Sequence, residues 1–472
     1  MLAGLWRLHE LPDWLRPERL KSAMERSIPE FASGALALKE VRPKRIHLKN
    51  GFHGGTFKLA VDGPGESRRV VNLLGHLSPT ASATAPPPRS TVRFAEAGWR
   101  GALPELGLVL ETPPSDRALP AQAVLTDADR ARALLEYAMR TGSPRLRDIH
   151  IERCTPQVAR YNPGSRCTVV YRLEFGAEAG GRDWPPVVVA KTHRGDKGRI
   201  AYQSMTALWG SDLRSGAVVT LAEPLAYLPE LKVLVQAGVR GDSTLADLVE
   251  RVLLHDGATP DENARLRDYL AKVARGLVAL HGCGVRGEPY DWDQEMAEVR
   301  ERIGRLADWI PGFSSALAPA LARIEELADA YPAQRPVASH RSFRPAQVLL
   351  HEGRIAFIDF DGFCETEPAT DLALFCASMK QNVLRTAERE DQAELPLDRL
   401  QRMMEQLDEL CELFLSEYER SAPASRERVE LWETLYLVEN LLNTWEKVRP
   451  EHLRSSMALL EHHLRQSRLP LL

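Results

Sequence analysis

Residues 339–361 constrain this chain more than any other stretch. Ser339-His340-Arg341-Ser342-Phe343-Arg344-Pro345-Ala346-Gln347 is a polar segment that runs into the apolar Val348-Leu349-Leu350. Glu352-Gly353 is a hairpin turn signal, the strand over 355–358 returns from it, and Asp359-Phe360-Asp361 follows. If extended, Asp359 and Asp361 point to the same side. The surroundings of this hairpin read as helix. From about residue 240 the pattern is helical, with Leu270, Val273, Leu277 and Leu280 on one stripe. After Asp371 only helices are expected, over 371–386, 398–420, 425–446 and 451–466.

With 472 residues the chain can hold two or three domains with proper cores. Its 44% hydrophobic and 27% charged residues are those of an ordinary globular protein. A net charge of −4 argues against a nucleic-acid binder or a polybasic membrane binder. Six scattered cysteines form no Cys-x-x-Cys pair, which favours reduced thiols over a disulfide framework or a zinc site. The first residues lack a basic start followed by a long apolar run, and no stretch approaches a membrane span. The cytoplasm is the expected location.

Upstream, residues 1 to about 30 read as a short amphipathic helix with Leu15, Leu20 and Met24 at helical spacing. Strands are expected from about 40 to 75, and the Pro/Ala/Ser/Thr-rich stretch 78–90 as a loop. Asp127 can cap a helix reaching about Thr141. A second strand-rich region follows: the turn Arg160–Arg166, the strand Thr168–Phe175 and the buried run Val187–Lys191. Ile46–Val61 and Ala159–Phe175 share one order of strand, Gly-containing turn and strand. They are either copies of one unit or two unrelated hairpins.

The 340–375 segment resembles the aminoglycoside phosphotransferase and choline kinase family. There a His-x-Asp-x-x-x-x-Asn loop precedes a strand and an Ile-Asp-[Phe/Leu/Trp] metal motif. The resemblance implies an α+β, bilobal protein-kinase-like fold: a small β-rich N-lobe at 144–238 and a helical C-lobe at 239–472. An extra α/β domain at 1–115, either a degenerate N-lobe copy or an unrelated fold, and a linker helix at 116–143 precede them. The resemblance also implies ATP and Mg²⁺ as cofactors. It makes His340 a loop-holding residue, Asp359 and Gln347 the metal ligands, and Asp371 a structural support. Lys191 would grip the phosphates, Asn162-Pro163-Gly164-Ser165 would be the phosphate turn, and Gln236 and Gly238 would lie at the adenine-pairing hinge.

Two departures stand out. Ser342 occupies the catalytic Asp position, and Arg341 replaces the customary Gly, adding a cation beside the site. A hydroxyl neutral at pH 7 is a poor proton acceptor, and general-base assistance is worth about 10²–10⁴ in rate. Asp361 is the candidate substitute base, or else a solvated turn carboxylate. The helix after Lys191 contains no acid, which leaves Gln203 as the nearest polar substitute for the usual Glu. Arg160 and Arg166 either meet phosphates or are solvated strand ends. His462-His463 reads as a solvated pair rather than a metal site.

Three functions fit these residues. The protein is a nucleotide-binding phosphotransferase-like protein with impaired or absent transfer, an active kinase for an alcohol or amino sugar, or a scaffold for a protein partner without nucleotide. The first is favoured by the missing Asp and Glu. Acidic residues at Glu388, Glu390, Asp391 and Glu394 would suit a cationic substrate, although a solvated helix face explains them more simply.

Overall fold

The computed structural model describes residues 12–49, 52–63, 66–77, 92–96, 98–112, 119–162, 165–177, 180–215, 218–255, 258–307, 312–391, 396–449 and 452–469. The loop expected at 78–90, Pro163-Gly164 of the expected phosphate turn, and Glu394 lie outside these residues.

In chain order, α1 (Pro17–Ser27) and α2 (Pro29–Ala32) precede β1 (Ala37–Lys49), β2 (Phe52–Gly63), β3 (Glu66–Leu77), β4 (Arg100–Leu103) and β5 (Leu108–Glu111). Next come α3 (Gln122–Leu125), α4 (Ala128–Gly142), β6 (Arg153–Asn162), β7 (Arg166–Glu174) and β8 (Val187–His193). They are followed by α5 (Lys197–Trp209), α6 (Asp212–Ser215), β9 (Thr220–Leu221), β10 (Pro224–Leu228) and β11 (Val233–Ala237). The remainder begins with β12 (Ser243–Thr244), α7 (Leu245–Leu254), α8 (Pro260–His281), α9 (Trp292–Ala307) and α10 (Phe313–Ala330). It ends with β13 (Val337–Ser339), β14 (Val348–His351), β15 (Arg354–Phe357), β16 (Cys364–Thr366), α11 (Ala369–Asp391), α12 (Leu397–Glu419), α13 (Arg426–Glu446) and α14 (Leu453–Gln466). None of the described helices is long and apolar enough to cross a membrane.

The chain divides into two compact units. The first comprises Met1–Ser115, Asp293–Leu327 and Leu437–Leu472; the second comprises Asp116–Trp292 and Ala328–Tyr436.

The first unit is built on an antiparallel sheet of order β1-β2-β3-β5-β4. Alternation along β2 turns Phe57, Leu59 and Val61 into the core and leaves Lys58 exposed, and Val71 and Leu73 of β3 line the same buried face. Helix α1 buries Leu20 and Met24 and packs on β1 and β4. In α14, His462 and His463 are both buried, so the expectation of a solvated pair is corrected. That helix also buries Ser455, Ser456 and Met457, and a helix covered on most sides leaves no amphipathic stripe to read in sequence.

The second unit starts from an antiparallel sheet of order β6-β7-β8-β11-β10. One of its faces is apolar: Cys167, Val169, Tyr171, Val188, Ala190, Val233 and Val235 are buried against Leu125, Leu135 and Met139 of α3 and α4. Asp127 caps α4 as expected, its carboxylate accepting from Arg130 N at 2.9 Å. Because side chains alternate, the opposite face is set by register. Arg160 lies across from Thr168, Thr168 from Lys191, Arg166 from His193, Lys191 from Leu234, and Val189 from Gln236. Arg160, Arg166, Lys191, His193 and Gln236 therefore share one face.

The two sheets have the same connectivity: first, second, third, fifth, fourth strand. In each, a Leu-Pro-Glu-Leu segment joins the last two strands through a 3₁₀ turn, at 103–106 and at 228–231. A left-handed residue closes each turn, Gly107 at φ 58° and Lys232 at φ 52°. Helix α4 packs on β6 and β10 as α1 packs on β1 and β4. The two hairpins compared in sequence are the first two strands of each sheet.

The rest of the second unit is helical around a small sheet of order β12-β14-β15-β9 and the pair β13-β16. The β14-β15 hairpin turns at Glu352-Gly353, with Gly353 at φ 77°.

Candidate functional site

The loop at 340–347 is held from beneath. Asp371, fully buried in the first turn of α11, accepts from His340 N and Arg341 N, both at 2.7 Å. The same carboxylate is 3.2 Å from His281 Nε2 at the end of α8, and His281 Nδ1 is 2.8 Å from the Tyr418 hydroxyl. These contacts satisfy a buried charge with donors from two elements, which gives Asp371 a structural role. They also stabilise Arg341 in the left-handed region at φ 56°, a conformation that favours Gly. The Arg341 guanidinium lies over the Tyr290 ring, 3.3 Å from its centroid, an arrangement that its sequence position did not reveal.

His340 is buried, and burial lowers its pKa despite the offset from Asp371 and the Ile358 carbonyl. A carbonyl only accepts, so His340 Nε2–H donates to Ile358 O at 3.0 Å. In the neutral ring Nδ1 then accepts, and Ser342 Oγ, 3.1 Å away, donates to it. A Cβ on Gly362 would lie 3.5 Å from Ser342 Oγ. The Ser342 hydroxyl is thus tied to His340 and also lies 3.4 Å from the Asp359 carbonyl oxygen.

Asp359 follows β15 in the left-handed region, at φ 71°. Lys191 Nζ lies 2.6 Å from Asp359 Oδ1 and 3.2 Å from Asp361 Oδ1. Arg166 is 3.0 Å from Asp361 Oδ2 and 3.6 Å from Asp359 Oδ2, and His193 Nε2 is 2.9 Å from Asp361 Oδ2. Every oxygen of the two carboxylates therefore faces a side chain of the β7-β8 face. Burial opposes the ionisation of Asp361, but the His193 hydrogen bond and the Lys191 charge outweigh it and hold the carboxyl well below the usual range. A carboxylate so stabilised is a poor proton acceptor.

The structure brings Ser342, Asp359, Asp361 and Lys191 into one neighbourhood and rearranges the roles of others. Gln203 is exposed on α5 and accepts from Arg199 at 3.1 Å, so it does not replace the missing Glu; the two aspartates are the partners of Lys191. Gln236 is buried on the Lys191 face, and its Oε1 has no hydrogen-bond partner. Gly238 donates its N–H to Val187 O at 2.8 Å, and Ala237 donates to Glu223 O at 2.8 Å, so neither amide is available to a base. A Cβ at Gly238 would come within 2.5 Å of Val187, which explains the glycine by packing. Sequence reasoning missed His193. The signal for His193 was its spacing of two from Lys191, which places both on one face.

The resemblance implies Mg²⁺ on Asp359 and Gln347. Gln347 Oε1 is buried without a hydrogen-bond partner and by itself has a lone pair to offer an ion. Asp359, however, already faces an ammonium and a guanidinium, and Asp361 faces three cationic or hydrogen-bonding groups. A dication would sit among like charges, where a unit pair at 4 Å repels by about 4 kcal/mol at an effective dielectric of 20. The donor set does not fit the ion.

Residues 212–413 match the model of the phosphotransferase enzyme family, a stretch that contains Ser342, Gln347, Asp359, Asp361 and Asp371 and begins after Lys191. No curated protein matches the chain by sequence. Among solved structures, a choline kinase from Cryptosporidium parvum Iowa II has TM-score 0.47 and 11% identity, covering 71% of this chain and 94% of its own. A choline kinase from Streptococcus pneumoniae has TM-score 0.43 and 14% identity, covering 66% and 94%. A glucosamine kinase has TM-score 0.47 and 15% identity, covering 91% and 93%.

Proposed function

We propose, for a chain whose residues 212–413 carry the phosphotransferase-family likeness and whose fold is protein-kinase-like, a nucleotide-binding role with impaired or absent phosphoryl transfer. The observation that carries this reading is the Ser342 hydroxyl, hydrogen-bonded to His340 Nδ1 in its own loop instead of standing as a carboxylate. Asp361 offers no substitute, because three neighbours hold it ionised. Nucleotide binding is supported by Lys191 and the arginines of its sheet face, which supply a cationic seat for phosphates. Gln236 is available to a base through its unpartnered carboxamide.

A second reading, an active small-molecule kinase, has one observation in its favour. Lys191 and Asp359 meet across sheet and loop at 2.6 Å, and phosphoryl transfer depends mainly on positioning and electrostatics. The two readings separate in a single-turnover assay with ATP and a panel of alcohols and amino sugars. The first expects binding of ATP without consumption, and some turnover regained in Ser342→Asp. ATP consumption by the wild type that Asp361→Asn abolishes would establish the second.

A further inference from the structure

We propose that this site takes its phosphate-rich ligand without a divalent cation, the side chains of Lys191, Arg166, Arg160 and Arg344 supplying the countercharge. This inference rests on the nucleotide-binding reading and narrows it to a metal-independent nucleoside polyphosphate site.

Three observations support it. First, the sheet register puts Arg160, Arg166, Lys191 and His193 on the face that meets Asp359 and Asp361, and all four carboxylate oxygens already have a partner there. A divalent ion at Asp359 must displace Lys191 or sit against Arg166.

Second, the cations outnumber the carboxylates. Arg160 and Arg344 make no hydrogen bond or ion pair to a carboxylate side chain among the described residues, yet Arg160 lies within charge range of Asp359, Asp361, Arg166 and Arg344. Lys191, Arg160, Arg166 and Arg344 against Asp359 and Asp361 leave two positive charges uncompensated. Burial, together with Arg166 and Arg344, lowers the Arg160 pKa against the opposing charges of Asp359 and Asp361. Converging cations cost stability in the free protein and are relieved by an anion.

Third, the chemistry of the surplus suits phosphates. Guanidinium groups bind phosphate oxygens in bidentate fashion, and Lys191 adds a point charge with a spare donor. The three arginines come from β6, β7 and the 340–347 loop, so a bound polyphosphate would be gripped from both sheet and loop.

The test is isothermal titration of the full-length protein with ATP and, separately, with inorganic tripolyphosphate, each in Mg²⁺ and in EDTA. The expected result is ATP binding in EDTA within about threefold of its affinity in Mg²⁺. Arg344→Gln and Arg160→Gln should each weaken it by roughly tenfold, with Arg344→Lys intermediate. Thermal unfolding of each variant verifies the fold. ATP binding that needs Mg²⁺ would overturn the metal-free site and leave the nucleotide reading intact. Tripolyphosphate binding in EDTA without ATP binding would overturn the nucleotide reading and keep the metal-free anion site. Binding of neither ligand overturns both.

Discussion

The molecule contains two five-stranded sheets of one design and two characters. Both run first, second, third, fifth, fourth, both turn through Leu-Pro-Glu-Leu, and both lay a preceding helix on their first and fourth strands. Aligning the turns places His76 of β3 where β8 has Lys191, and Glu111 of β5 where β11 has Gln236. Glu111 is already engaged by Arg100 of the adjacent strand, at 2.9 Å, so its charge is answered within its own sheet. In the second sheet Lys191, Arg166 and His193 find their partners outside it, on the loop after β15. Each sheet packs one face into an apolar core, while the opposite faces differ in charge. The second sheet turns its charges towards the loop after β15, and the first pairs Glu111 with Arg100 within its own strands.

The comparison can be broken or sharpened by substitution. The largest effect is expected at Asp371, which holds the loop that the second sheet meets. Asp371→Ala orphans the buried His340 N–H and the part-buried Arg341 N–H and should cost about 3 kcal/mol or more in urea unfolding. Next, Lys191→Met should weaken ATP binding by roughly ten- to a hundredfold in calorimetry. His76→Ala should leave that affinity unchanged, and His76→Lys should leave the stoichiometry at one. An effect of His76 equal to that of Lys191 would erase the distinction between the sheets.

A smaller effect is expected on the acid limb of stability. The Asp361 carboxyl is depressed in the folded protein, so its contribution is complete above its unfolded pKa of about 3.9 and is lost as pH falls below that value. Asp361→Asn should flatten the dependence of unfolding free energy on pH in that window, and an unchanged acid limb would count against the ion-pair cluster. The smallest effect is expected in the first sheet. Arg100→Ala removes an exposed pair with Glu111 and should cost under about 1 kcal/mol in the same unfolding assay.

Much of the site was legible because its residues are close in sequence. The His340–Gln347 loop, the β14-β15 hairpin and Asp359 form a local motif, and turn chemistry with apolar runs marks it. Asp371 was legible as a helix opener that supports the loop, although its partners are the N–H groups of His340 and Arg341 rather than its own helix. The likeness of the two sheets was half visible. Two hairpins suggested it, and the Leu-Pro-Glu-Leu pair would have strengthened it, but only the matching strand order made the sheets comparable.

Composition, periodicity and the 339–361 motif determined that this chain would place a sheet before a helical region and present two aspartates at the end of a hairpin. Those are local properties, set by backbone preference and by apolar spacing. Tertiary structure alone decided which charges meet. Arg166 and Asp361 are 195 residues apart, as the register of β7 with β8 and the docking of the loop beneath them demand. It also turned Ser342 inward, seated Arg341 on Tyr290 and buried His462 and His463. Electrostatic partnership depends on distance in space, and a linear sequence records distance only along the chain.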